Sequence, residues 1–277
     1  MNATAPVFDV VVPIHNSFHV ARLCLSSLER TTGVADVRVT CVLDACDDHT
    51  IKAVRQWTRG QPTARIIELH HNLGFVGACN AGIEAATGKF VVLANSDTCA
   101  TENWPKLFLN CFNSDKTIGV ASPISNFCPH NSVPIPPGMT LKQMAASVAA
   151  LKPAYPDITT CEGFFFAIRR QALDQIGFLD GIFGPGYCEE SDLSMRANYF
   201  GWRTVLVDNC YIFHYGRESF GAATRQAQYD KNKHVFFDRW RECYGRDFEA
   251  MKAVDAITAL RASLAGRDDF QPVKWVP

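Results

Sequence analysis

The 277-residue sequence predicts an α/β fold, with a mostly parallel central sheet flanked by helices and a helical C-terminal tail. Strand-like and helix-like stretches alternate through the first half, as βαβ units require. Residues 89–97 read Lys-Phe-Val-Val-Leu-Ala-Asn-Ser-Asp, an apolar run short enough for a strand buried on both faces of a parallel sheet. That run stops abruptly at Asn95 and Asp97, and ligands in open α/β sheets gather beyond the carboxyl ends of such strands.

The elements follow in order. Strands are expected over 7–14, 37–44, 64–68 and 90–94, with helices over 19–30, 50–58 and 76–87 between them. Gly88 stands where the third helix should stop, and Thr101 with Glu102 starts a helix over 103–112. Residues 123–138 are Pro- and Asn-rich without periodicity, and a loop of that length is either functional or a surface excursion. A second block offers a strand over 161–168, a helix over 171–176, a Gly-rich loop over 181–186 and a helix over 193–200. Strands over 204–207 and 211–214 and a helical tail from 224 complete the chain. In that tail Phe236, Phe237, Trp240 and Tyr244 recur at near-helical spacing, which suits packing on the domain or a homodimer contact.

Composition excludes several classes of function. A hydrophobic fraction of 47% and a charged fraction of 20% belong to an ordinary globular chain, not a disordered one. The net charge of -1, with Lys and Arg spread along the sequence, gives no electrostatic footprint for nucleic acid or an anionic membrane. A small anionic substrate stays open, because a bound cation supplies charge locally. The 11 cysteines, Cys41, Cys79, Cys161 and Cys210 among them, lie mostly in apolar runs with no Cys-x-x-Cys, as for reduced thiols in a cytoplasmic compartment. The N-terminus lacks the form of a secretory signal, and the longest uncharged stretch, 118–141, holds five prolines. No transmembrane segment is expected, and any membrane contact would be peripheral, at the inner face.

Four polar positions fall at strand ends: Asp44, Asp97, the cluster Glu189-Glu190-Ser191-Asp192, and His214. A fold that presents strand ends to one cleft can bring them together. Asp44 either accepts a hydrogen bond from an imide N–H such as that of uracil or thymine, or caps the next helix, for which Asp47 and Asp48 are better placed. Asn72, Gly74 and Asn80 belong to a Gly- and Asn-dense segment that lets backbone approach a ligand and offers N–H groups to anions. Neither a Gly-x-Gly-x-x-Gly fingerprint nor a P-loop is present, which disfavours a dinucleotide-binding dehydrogenase. The acids at 189–192 suit either catalysis or an acidic helix start.

The runs Asn72-Leu-Gly-Phe-Val-Gly-Ala-Cys-Asn80-Ala-Gly and Gly88-Lys-Phe-Val-Val-Leu-Ala-Asn95-Ser-Asp97-Thr strongly resemble family 2 inverting glycosyltransferases of the GT-A fold. The rhamnosyltransferase-like branch is the nearest in kind. Pro13-Ile-His15-Asn16, the stretch 163–169, Gly177-Phe-Leu-Asp180, Glu189-Glu-Ser-Asp-Leu193 and His214 continue the likeness in the family's order, over about residues 7–216. The resemblance implies a GT-A (nucleotide-diphospho-sugar transferase) domain over 1–216. Its nucleotide-binding half is about 1–122 and its acceptor half about 123–216, with a helical extension over 217–277.

Site roles follow by the same resemblance. Pro13, His15, Asn16, Asp44, Asn72, Gly74, Asn80, Asn95, Ser96 and Asp97 fall in donor-binding motifs. His15 replaces a frequent Tyr and either stacks on the base or fills the turn. Asn95-Ser96-Asp97 looks like the Asp-x-Asp signature, whose last Asp binds a divalent cation, Mn or Mg; Asn95 departs from the stricter Asp, and His214 resembles a metal-binding His. Glu190 matches the catalytic base, where an Asp is more usual, with Glu189 and Asp192 as rivals. The implied reaction moves a sugar from a nucleotide-sugar donor, UDP- or dTDP-linked by the Asp44 argument, to a hydroxyl of a glycan or lipid-linked acceptor, with inversion. The rival readings are a nucleotidyltransferase, which needs a basic Gly-rich loop that Pro13-Ile-His15-Asn16-Ser17 lacks, and a non-catalytic nucleotide-sugar-binding module.

Overall fold

Seven consecutive buried residues, Phe8–Ile14, form β1, the hub of the sheet. Its even-numbered side chains Val10 and Val12 enter one core while Val11 enters the other, the period-two pattern of a strand covered on both faces. The computed structural model describes residues 7–31, 36–216, 222–244 and 257. Around β1 the first half folds as α1 (Phe18–Glu29), β2 (Val37–Asp44), α2 (Asp48–Arg59), β3 (Ala64–Leu69), α3 (Gly74–Ala85) and β4 (Phe90–Ala94). β1 pairs in parallel with β2 and β4, and β2 with β3, so the carboxyl ends of four strands open on one edge. These elements match the sequence expectation to within a few residues.

The second half adds β5 (Thr98–Cys99), α4 (Trp104–Ser114), β6 (Ile118–Ser125), α5 (Leu141–Ala149), β7 (Phe165–Arg169), α6 (Arg170–Ile176), α7 (Glu189–Tyr199), β8 (Arg203–His214) and α8 (Ala222–Tyr244). One sheet of eight strands results, in the order β3-β2-β1-β4-β7-β6-β8-β5, with β7 antiparallel to both neighbours. β6 crosses the boundary placed near residue 122, so the sheet runs through both expected halves without a break.

Four expectations needed correction. β6 runs into the stretch read as loop over 123–138, although a proline at 123 argues against an interior strand. Pro123 is tolerated at the register shift between β6 and β8, beyond the residues that pair with β7. The two strands expected over 204–214 are one, β8, with an irregularity between Val207 and Tyr211. Helix α5 was not expected; Thr140 and Gln143 close a capping box on it. Helix α3 stops before Gly88, whose N–H instead donates to the buried Asp9 carboxylate at 2.6 Å.

The tail helix packs on the domain: Phe236 and Trp240 enter the core that α3, β7 and α7 share. Tyr244 ends α8, and the rest of the expected extension, apart from Ile257, lies outside the described residues. Among the described residues no helix is long and apolar enough to cross a membrane. All eleven thiols are free, and eight of them are buried.

Candidate active site

The ends of β1, β2 and β3 build one corner. Asn16, with a left-handed φ of 57°, turns the chain out of β1, and its Oδ1 accepts from the N–H of Asp47 at 2.7 Å. Asp47 in turn caps α2 by accepting from the Thr50 N–H. That leaves Asp44 free of capping duty, and its Oδ1 accepts from the Leu73 N–H at 2.7 Å. His15 donates from Nδ1 to the Asp44 carbonyl at 2.6 Å, which leaves Nε2 as the acceptor facing the Asn72 amide at 3.5 Å. Asn72 Oδ1 holds the Gly74 N–H. Asp44, His15, Asn16 and Asn72 thus share one corner, Pro13 lies in β1 just before it, and Pro13 and Asp44 are buried while His15 is exposed.

A second corner forms beyond β4. The two-residue strand β5 pairs antiparallel with the end of β8, Thr98 opposite His214, and sets Asp97 against the imidazole. His214 donates from Nδ1 to the Phe127 carbonyl at 2.9 Å, and its Nε2 faces Asp97 Oδ1 at 3.3 Å. A ring nitrogen and a carboxylate oxygen at that distance are held together by a proton or a metal cation between them. Beside them Asn95 Oδ1 is buried with no donor to accept from. Asp97, His214 and Asn95 therefore fit a divalent cation in the chemistry of their donor set. Among the described residues no group of three or more His, Cys, Asp or Glu side chains is placed to hold a metal ion. Ser96 sits half-buried between Asn95 and Asp97.

The acid cluster is the first turn of α7. Glu189 is buried, its Oε2 has no hydrogen-bond donor, and burial with the adjacent Glu190 charge raises its carboxyl well above the ordinary range. Glu190 is half-buried; burial raises it too, while bonds from backbone, Ser191 and Glu189 pull it down. The physical resolution is a protonated Glu189 that donates to Glu190, leaving Glu190 as the member of the pair that ionises first.

Asp192, expected as a rival base, is instead a buried anchor. Its Oδ2 accepts from Arg196 at 2.9 Å, and its Oδ1 from Arg239 and Trp240 at 2.8 and 3.0 Å. Both oxygens are thus engaged by side chains of α7 and α8, and the carboxylate is fully buried. Asn80, expected at the donor, is likewise a tie: its amide clasps the backbone of Leu179 from both ends, at 2.9 and 3.1 Å.

Two short segments join the acids to the corners. A Cβ on Gly163 would stand 3.2 Å from the Glu190 carboxyl carbon. The next residue, Phe164, accepts from the Asn95 N–H at 2.8 Å and stacks on His214 with ring centroids 5.0 Å apart. One dipeptide therefore touches both Glu190 and the Asp97 corner. On the other side Gly74, at φ +69°, lies so close to Pro185 that a Cβ would come within 2.8 Å of its Cα.

Several contributors were missed in the sequence. Asn126 brackets His214 by donating to its carbonyl and accepting from its N–H. Glu162 is buried beside Glu190, and its Oε1 accepts from the N–H groups of His130 and Asn131 at 2.9 and 3.2 Å. The long loop over 126–132 is therefore packed into the site. Asn126 and Asn131 in a Pro-rich run were the available signal, but nothing local pairs them with residues a strand away.

Residues 9–177, more than half of the chain, match the family described as Glycosyl transferase family 2. The chain belongs to that family. It is 30% identical over 97 residues to the uncharacterized glycosyltransferase YibD of Escherichia coli (strain K12), covering 35% of this chain and 27% of that protein. It is 26% identical over 113 residues to the chondroitin synthase of Pasteurella multocida (strain Pm70), covering 41% of this chain and 12% of that one. The matched segment is thus a minor part of each curated relative. Among solved structures, the mannosyltransferase PcManGT from Pyrobaculum calidifontis in complex with GDP-Man and Mn2+ superposes with a TM-score of 0.61 at 18% identity, over 96% of this chain and 77% of that one. GalNAc-T7 with UDP, GalNAc and Mn2+ gives 0.66 at 14% identity, over 96% and 55%. At such identities the likeness fixes the architecture, which is GT-A.

Proposed function

We propose that this family 2 member is an inverting glycosyltransferase that moves a sugar from a nucleotide-diphosphate donor to a hydroxyl of a glycan, lipid-linked or other acceptor. The reading is carried by the Asp97–His214 corner, where Nδ1 of His214 is committed to a carbonyl and Nε2 faces the carboxylate. The GT-A neighbours hold GDP-Man or UDP together with Mn2+, which supports a nucleotide-sugar donor and a divalent cation. Asp97 and His214, with Asn95 beside them, would hold the cation, and when bound it would offset charge developing on the donor's diphosphate as a Lewis acid.

Glu190 is the proposed base. Its ionised carboxylate takes the proton of the acceptor hydroxyl as that oxygen attacks the anomeric carbon. The bond to the diphosphate breaks on the opposite face, its electron pair leaves with the nucleoside diphosphate, and the anomeric centre inverts. A carboxyl raised by burial sits nearer the working pH, as a base requires. Asp44 uses Oδ1 on Leu73, so Oδ2 is the oxygen proposed for a ring N–H, which favours uracil or thymine over cytosine. The free, mostly buried thiols support a reducing, cytoplasmic setting, with any membrane contact peripheral.

A thermal-shift screen of UDP- and dTDP-sugars with Mn2+ identifies the donor, because a ligand bound only to the folded state stabilises it. With that donor, Glu190→Gln is expected to lose about 100-fold or more in kcat, the typical worth of a general base. Near-normal turnover in that variant moves the base elsewhere. Turnover that survives exhaustive chelation removes the cation from the reading.

A further inference from the structure

The loop that delivers the acid cluster is held in an unusual backbone. Gly184, Gly186, Tyr187 and Cys188 all have positive φ, at 59°, 134°, 75° and 71°, although two of them carry side chains. Such a path persists only where the surroundings over-determine it. The constraint comes from α8. Asn232 is fully buried, and its Nδ2 donates to the carbonyls of Phe183, Gly186 and Tyr187 at 2.7, 2.7 and 3.0 Å. Its Oδ1 accepts from Gln228 at 3.1 Å. The amide has one chemically sensible orientation, since a flip would set its oxygen against three carbonyls.

Two turns along, the same face of α8 presents Arg239 and Trp240 to Asp192, and Arg239 also pairs with Asp180 at 2.9 Å. One helix therefore grips the carbonyls just before Glu189 and the carboxylate just after Glu190. That helix lies beyond the family-matched residues 9–177.

We propose that Asn232 is a positioning residue for the transfer step, acting through the carbonyls of Phe183, Gly186 and Tyr187 to aim Glu190. This rests on the reading of Glu190 as the base. The donor residues Asp44, Asn72, Asp97 and His214 have no hydrogen bond to Asn232, so donor binding is set independently.

The test uses the full chain, with UDP and Mn2+ as the binding probe and the donor from the nucleotide-sugar screen for turnover. Asn232→Ala is expected to lower kcat by about 100-fold, the order expected for a misplaced catalytic group, while UDP affinity stays within about twofold. Amide exchange should rise over 184–190 and stay unchanged over 90–98. Asn232→Asp, of the same shape but without a donor, should fall at least as far as Asn232→Ala; wild-type kcat in Asn232→Asp overturns the proposal, as does unchanged exchange over 184–190. If Asn232→Ala does not fold, Gln228→Ala decides: a loss in kcat of about threefold or more at constant UDP affinity, the worth of one hydrogen bond, supports it, and unchanged kcat overturns it. Glu190→Gln is measured alongside. Full activity there defeats the base assignment whatever Asn232 does, whereas an inactive Glu190→Gln with active Asn232 variants defeats only the positioning role.

Discussion

Glu162 offers a quantitative check on the electrostatics of the acid cluster. Burial raises its carboxyl from 4.5 to about 7, with the Glu190 charge adding to the rise and the His130 and Asn131 N–H groups opposing it. Between those two values the folded protein keeps a proton that the unfolded chain has released, so stability falls as pH rises through the window. The stabilisation is complete below 4.5 and lost above about 7. At about 1.4 kcal/mol per pH unit the linkage is worth about 3 kcal/mol. Glu162→Gln keeps an oxygen for both N–H groups and does not titrate. Urea unfolding of the two proteins between pH 4.5 and 8 should therefore show the variant gaining about 3 kcal/mol on the wild type as pH rises. Glu189 and Glu190 remain in both proteins, so the difference reports position 162 together with its interaction with Glu190. A gap that stays flat to within about 1 kcal/mol would mean that Glu162 ionises as an ordinary glutamate, and the picture of a crowded, dry carboxyl cluster would be wrong.

Asp9 is fully buried and accepts from Arg38 at 2.5 and 2.8 Å and from the N–H groups of Thr87 and Gly88 at 2.7 and 2.6 Å. Asp9→Ala should cost about 3–5 kcal/mol in urea unfolding, because it strands the buried Gly88 N–H and the partly buried Arg38 guanidinium, and a loss under 1 kcal/mol would contradict the network. Gly82 packs α3 on β1 with no room for a methyl group beside the Val11 side chain; Gly82→Ala should destabilise by about 1–3 kcal/mol, read from the same measurement. Cys243 is the one exposed thiol of the eleven, so a disulfide reagent should modify one site rapidly in the native protein, and Cys243→Ser should abolish that phase.

β1, β2 and β4 were legible because each is a short, mostly apolar run that ends in a turn, with burial on both faces. What the sequence hid is pairing. β5 is two residues long and carries no periodicity, yet it alone brings Asp97 to His214. Asp97 and the Glu189 to Asp192 cluster stood out as acids in family-like runs, whereas Glu162 and Asn232 did not, because their meaning lies in backbone groups far along the chain: His130 and Asn131 for one, Phe183 to Tyr187 for the other. Asp192 and Asn80 show the converse. A carboxylate or amide in a motif looks available until its partners Arg196, Arg239, Trp240 and Leu179 are seen to occupy it.

The placement of Glu190 argues that the site is built from the antiparallel side of the sheet inward. The parallel strands β1 to β4 supply a ledge of loop ends that carries Asp44 and Asp97, whereas Glu190, the proposed base, comes from α7. β7 then runs against β4, and the residues just before it, Gly163 and Phe164, are laid between the β4 end and α7. Glycine at 163 is needed because a Cβ there would come within 3.2–3.3 Å of the Glu190 side chain, tight enough that the carboxyl would have to shift. The same backbone holds Asn95 and carries the ring that stacks on His214. A substitution at 163 would thus displace the base first and the cation corner only through Phe164, so Gly163→Ala should lower kcat more than it weakens binding of UDP with Mn2+. Equal losses in both would mean that base and cation corner move as one rigid unit.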